Sequence, residues 1–209
     1  WPGLVGQYTG INASGLVICL HDAYNLKRGG KQSGYTARGV LLRRMLEEIN
    51  PSSGDAAEAG VKLASEKIVA CGNLFHLTWP RAAAEKSSTR PAAVLEFDPF
   101  DRHVNLRRMD DSGLLVLTNH YCERSKPVAC ERFKKINDAV ALFAGAGKLL
   151  GLVEARKILM SAEQPVAAHS VYFYPDRLEL HVALTKQNVM SPRVAPTQFS
   201  LAELFARQK

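Results

Sequence analysis

Four short runs decide the fold: "NLFHLTW" (73–79), "AAVLEFD" (92–98), "HVNLRRM" (103–109) and "LLVLTNH" (114–120). Each is rich in residues that suit a pleated, half-buried surface. Turn-like segments separate them: "PRAAAEKSSTRP", "DPFD" and "DDSG". Strands that follow one another without intervening helices pair antiparallel. Strict strand–helix alternation would instead signal a doubly wound parallel sheet.

Upstream of this block, "LVGQYTGIN" (4–12) and "LVICLHD" (16–22) flank the turn "NASG", so residues 4–22 read as a hairpin. Residues 25–37 are polar and glycine-rich, the composition of a binding loop. Leu42, Met45, Leu46 and Ile49 recur at helical spacing over 37–49, and Asn50-Pro51 stops that helix. Asp55, with Glu58 three residues on, starts a second helix whose inward stripe is Ala57, Val61, Ala64 and Ile68. Downstream, 131–162 is helical in two pieces around Gly145, Gly147 and Gly151. "HSVYFY", "PDR" and "LELHVAL" form a last hairpin, and "SLAELFARQ" a short helix. The expectation is one α+β domain over 1–209, mainly antiparallel sheet with helices layered outside.

Composition excludes several classes. The chain has 209 residues, 46% apolar and 22% charged, ordinary for a globular protein with a substantial core. Its apolar runs are too short for a helical membrane span. The net charge of +7 is spread in pairs such as Arg43-Arg44 and Lys134-Lys135, with no basic stripe interleaved with aromatics, so nucleic acid is not an expected partner. The four cysteines form no CxxC pair and the six histidines are dispersed, so no metal is expected. "GAGKLLG" (145–151) lacks the P-loop spacing and follows a helical stretch, which reads as a helix break.

What remains is chemistry at strand ends. In "LLVLTNH" alternation puts Leu115, Leu117 and Asn119 on one face and Val116, Thr118 and His120 on the other. Asn119 continues an apolar face, either as a structural amide or as a donor to a developing oxyanion. "GLVICLHD" likewise runs apolar and ends in His21-Asp22. Arg132 opens a helix whose inward stripe includes Phe133, Ile136 and Val140. A cation in a first turn opposes the helix dipole, so Arg132 is either held by a carboxylate or simply exposed.

With these residues in place, "WPGLVGQYTGINASGLVICLHDA" resembles a W-P-G-x-x-G…T-G-x-N-x-x-G-L segment. That segment belongs to the acyl-coenzyme A:6-aminopenicillanic acid acyltransferase-like peptidases, relatives of the choloylglycine hydrolases and penicillin V acylases. "VLEFDP", "GLLVLTNHY", the Arg-containing helix start and "AHSVYFYPDRLELHVAL" continue the likeness from Trp1 to about Leu184. It rests on the order of motifs, none of them specific alone. The resemblance implies an N-terminal-nucleophile hydrolase, a four-layer αββα sandwich, with no cofactor. Its action is cleavage or transfer at linear amide bonds of a small acyl amide, with acyl-coenzyme A as a partner in the transfer case. An N-terminal cysteine exposed by autoproteolysis attacks the carbonyl, its own α-amino group serving as base.

Carried over by position, Asn119 supports the oxyanion and the nucleophile's amino group, and Arg132 organises the site. His21 stands where the family often has an oxyanion-hole Asn, with Asp22 the alternative if the register slips by one, while Asn12 holds the hairpin. The nucleophilic cysteine is the departure: none of Cys19, Cys71, Cys122 and Cys130 is N-terminal. The expectation is therefore a chain lacking its first strands, or a subunit paired with a nucleophile-bearing segment. Cys122 reads as a bystander, and a non-catalytic acyl-binding homologue is the alternative.

Overall fold

A computed structural model describes residues 8–23, 34–66, 68–69, 71–100, 102–124, 129–145, 150–164, 168–187 and 189–206. The chain groups into two compact units, Trp1–Val128 and Ala129–Lys209, where the sequence reads as a single domain. Both are α+β with antiparallel sheets.

The first unit is built on a five-stranded meander in the order β1 (Thr9–Ile11), β2 (Val17–Asp22), β3 (Asn73–Thr78), β4 (Ala92–Phe97), β5 (Asn105–Arg108). The register pairs Ile18 with Leu77, Phe75 with Leu95, and Leu95 with Leu106. One face is thereby apolar from strand to strand. Onto it pack α1 (Arg38–Glu48), α2 (Ala56–Ser65) and α3 (Arg81–Lys86). Leu41, Leu42, Met45, Phe75, Leu77, Trp79 and Leu95 are all essentially excluded from water there. Each such large side chain contributes about 1.5–3 kcal/mol over leaving it exposed.

The turn "NASG" works as its composition suggests. Gly15 sits at φ +83°, where a side chain would be strained, and its N–H donates to Asn12 O at 3.0 Å. Asn12 Oδ1 accepts from Ser14 N (3.0 Å) and Leu16 N (3.0 Å), and Nδ2 donates to Leu46 O (2.9 Å) and Ile49 O (3.1 Å). One amide thus closes the hairpin and satisfies two carbonyls at the end of α1. Asp55 caps α2, accepting from Ala57 N at 2.9 Å and Glu58 N at 3.4 Å.

Three expectations need correction. Residues 114–118 form no strand: the sheet ends at β5, and Arg107 Nη2 donates to Val116 O at 2.8 Å where a ladder bond would lie. "PRAAAEKSSTRP" is not all turn, because its alanines build α3 and bury Ala83 and Ala84. The stripe of α2 centres on Gly60, Leu63 and Ala64, with Val61 only partly buried and Ile68 beyond the helix. The loop read at 25–37 falls mostly outside the described residues, as does the start of the first hairpin strand.

The second unit has α4 (Glu131–Gly145) packed on α5 (Leu152–Ser161), and a three-stranded antiparallel sheet. Its strands are β6 (His169–Tyr174), β7 (Glu179–Leu184) and β8 (Thr197–Ser200), the last running into α6 (Leu201–Ala206). The break between α4 and α5 falls in the glycine-rich segment, as read. β8 was not anticipated. Arg156 of α5 donates to Pro192, Arg193 and Val194 carbonyls, each at 3.2 Å, and clamps the turn that precedes β8. No helix among the described residues is long and apolar enough to cross a membrane.

Candidate functional site

β2, β3 and β4 bring their polar residues to one end of the first sheet. Asp22 pairs with Asn73, and Asn73 with Phe97, so the ends of three strands meet there. Asn119 reaches this edge: its Nδ2 donates to the Asp22 main-chain oxygen at 2.9 Å. Residues 97 apart in sequence are joined by one side chain at the position following His21. The Asp22 carboxylate pairs with Arg38, the first residue of α1. Arg38 Nη1 also lies 3.4 Å from Cys71 Sγ, and its guanidinium stacks 5.5 Å from the Tyr8 ring centre. Burial alone would lower the Arg38 pKa, but the Asp22 carboxylate, together with Cys71 and Tyr8, outweighs it and holds the guanidinium above its ordinary value.

Away from the helices, the second face of the sheet carries a row of titratable groups. Alternation places Cys19 and His21 of β2, His76 of β3, and Glu96 and Arg107 of β4 and β5 on it, with Cys19 opposite His76. Burial, then the neighbouring His21 and Arg107, push His76 down to about 4, so it is a neutral imidazole at pH 7. Burial pushes the Cys19 thiol up to about 11, which keeps it protonated and inert.

Glu96 explains how the 118–124 segment is held. Its side chain is wholly buried on β4. Oε1 accepts from Cys122 N at 2.9 Å, and Oε2 from Glu123 N at 2.9 Å and Arg124 N at 3.1 Å. Three successive main-chain donors on one carboxylate fix the backbone that carries Asn119. Tyr121, also fully buried, donates its hydroxyl to Phe97 O at 2.8 Å and packs with Ala23, Leu74 and Leu117. Arg124 closes the segment through Asp98 Oδ2 at 2.9 Å.

Of the four expected site residues, Asn119, His21 and Asp22 therefore share one end of one sheet. Arg132 lies in the first turn of α4 in the second unit. Sequence reasoning missed Arg38, His76, Asn73 and Glu96. Glu96 had a signal, a lone carboxylate in "AAVLEF", a strand apolar enough to be buried on both faces. Arg38 and His76 had none, because their surroundings come from distant strands. Asn73 donates to Cys71 O, while its buried Oδ1 has no partner among the described residues, a cost of about 1–3 kcal/mol.

No group of His, Cys, Asp and Glu among the described residues has the arrangement of a metal site. No protein-family model matches this chain, and no curated protein matches it.

Proposed function

We propose that the chain carries the oxyanion and support side of an amide-bond hydrolase or acyltransferase of the N-terminal-nucleophile type. In this reading the two units belong to a four-layer αββα sandwich, and the attacking cysteine lies on a segment outside this sequence. The observation that supports it is the delivery of the Asn119 amide to the end of β2, next to His21 and Asp22. A carboxamide N–H can stabilise an alkoxide-like oxygen formed on a carbonyl, and in this reading an imidazole N–H of His21 is the second donor. Glu96 and Tyr121 hold that amide so that little reorganisation accompanies the reaction. The resemblance assigns an organising role to Arg132, the substrate is a small acyl amide, and the acceptor is water or an acyl-accepting amine or coenzyme.

The test is expression of the whole open reading frame that contains this chain. The reading expects a mature N-terminal cysteine by mass spectrometry, labelling of it by a thiol-reactive electrophile, and turnover of chromogenic acyl amides. Asn119→Ala should lower kcat about 10²–10³-fold with a smaller change in KM. A verified full-length product without that cysteine and without turnover sinks the reading.

A second reading is a non-catalytic acyl-binding protein, favoured by one fact: the Asn119 amide bonds Asp22 O, as a purely structural strand-end amide would. In that case Asn119→Ala lowers stability and leaves no catalytic defect to measure, while acyl amides still bind.

A further inference from the structure

Thr118, His120 and Cys122 form a relay apart from the Asn119 amide. Thr118 Oγ1 lies 2.8 Å from His120 Nδ1, and His120 Nε2 lies 3.9 Å from Cys122 Sγ, the long limit for a thiol contact. Thr118 and His120 are buried, whereas Cys122 keeps part of its surface open. Glu96 clamps the main chain from 122 to 124, so the thiol and the imidazole are held on fixed backbone. A nucleophile, a base within reach and a third group orienting the base are the parts of an activated nucleophile. With Nδ1–H donating to Thr118 Oγ1, Nε2 presents its lone pair to the thiol.

We propose that Cys122 is an imidazole-activated thiol that exchanges with low-molecular-weight disulfides and holds a small thiol as a mixed disulfide. The reaction class follows from the local backbone. Attack on a carbonyl builds an oxyanion that needs N–H donors. The N–H groups of 122, 123 and 124 are already committed to Glu96. Attack on a disulfide builds no oxyanion, because the charge passes to the departing sulfur. His120 Nε2 takes the thiol proton, and Sγ forms a bond to one sulfur of the reagent. The reagent's S–S bond breaks with its electron pair on the leaving sulfur, which takes the proton back from the imidazolium. One disulfide is consumed and one is formed, so the small disulfide is the only oxidant required. Neither the reaction nor its site depends on the amide-bond chemistry proposed for Asn119.

The experiment treats the native protein with oxidised glutathione and maps modified cysteines by peptide mass spectrometry against time. Cys122 should react first, and about tenfold faster in the folded protein than in the urea-unfolded chain at the same pH. His120→Gln should slow it by about tenfold or more, the lower end of a general base's contribution. Thr118→Val should slow it less. Cys19, its thiol raised by burial to about 11, is the slow internal reference. A folded-state rate at Cys122 below its unfolded rate overturns the proposal, as does leading reactivity at Cys71 or Cys130. An unchanged rate in a folded His120→Gln variant overturns it as well. The folded-against-unfolded comparison needs no variant, so it decides even where a substitution prevents folding.

Discussion

Glu96 shows most directly how one residue can organise a segment it is far from in sequence. A fully buried carboxylate is costly to desolvate, and here three main-chain N–H groups offset that cost. Arg107, whose Nε lies 3.9 Å from Oε1, adds a nearby positive charge. Glu96→Gln keeps the shape but loses the charge and turns an NH2 toward N–H donors. It should cost about 1.5–3 kcal/mol, the range for hydrogen bonds to charged groups. Urea unfolding would read this as a lower midpoint at unchanged slope. An unchanged midpoint would mean that something other than this carboxylate holds residues 122–124. Asn12, in contrast, was legible as a hairpin-holding residue, because its turn chemistry is local. That it also ties the hairpin to the end of α1 was not.

At the scale of elements, α2 shows a close approach that periodicity could not show. Gly60 faces the sheet, and a Cβ built there lies 3.0 Å from Leu95 Cδ1 and 3.1 Å from Leu77 Cδ2. Both leucines are fully buried in the close-packed core, and their methyls would have to give by a few tenths of an ångström. Gly60→Ala should therefore destabilise by about 1–3 kcal/mol of overpacking, outweighing the roughly 1 kcal/mol that alanine adds in an exposed helix. Thermal melting checks the sign, and a raised Tm would show that the leucines can yield. Helices α1 and α2 were readable because their apolar stripes repeat at 3.6 residues. The run 114–120 misled because its composition is that of a strand. The Val116 carbonyl is taken by the Arg107 side chain of β5, and the N–H groups just past the run, at 122–124, by Glu96 of β4, not by a sixth strand. "PRAAAEKSSTRP" misled in the opposite way, since its two prolines and its serines outshone three alanines.

For the molecule as a whole, the pH response follows from groups buried by the fold. His76 has an ordinary value of 6.5 and is pushed down to about 4. The unfolded chain therefore binds this proton more readily than the folded one. The stability this provides is complete above 6.5 and is lost as pH falls toward 4. Asp55 is also shifted: its burial would raise it, but Arg108 and the α2 N–H groups hold it below 3.8. Its contribution is lost only at still lower pH. The urea midpoint should decline between pH 6.5 and 4, and His76→Gln should flatten that decline. An identical decline in the variant would assign the acid sensitivity elsewhere.

By itself the sequence determined the class of fold, α+β with antiparallel sheets. It also marked most strands, both long helices of the first unit, the break between α4 and α5, and the "NASG" turn. Each depends on short-range patterns of period 2 or 3.6, or on the backbone preferences of Asn, Gly and Pro. Only the tertiary structure decided what surrounds the strand ends. It joined Asn119 to Asp22, set Arg38 between a carboxylate and a thiol, and gave Glu96 three main-chain partners. Those contacts depend on which residues the register and the packing bring within about 3–4 Å, and no local pattern encodes that.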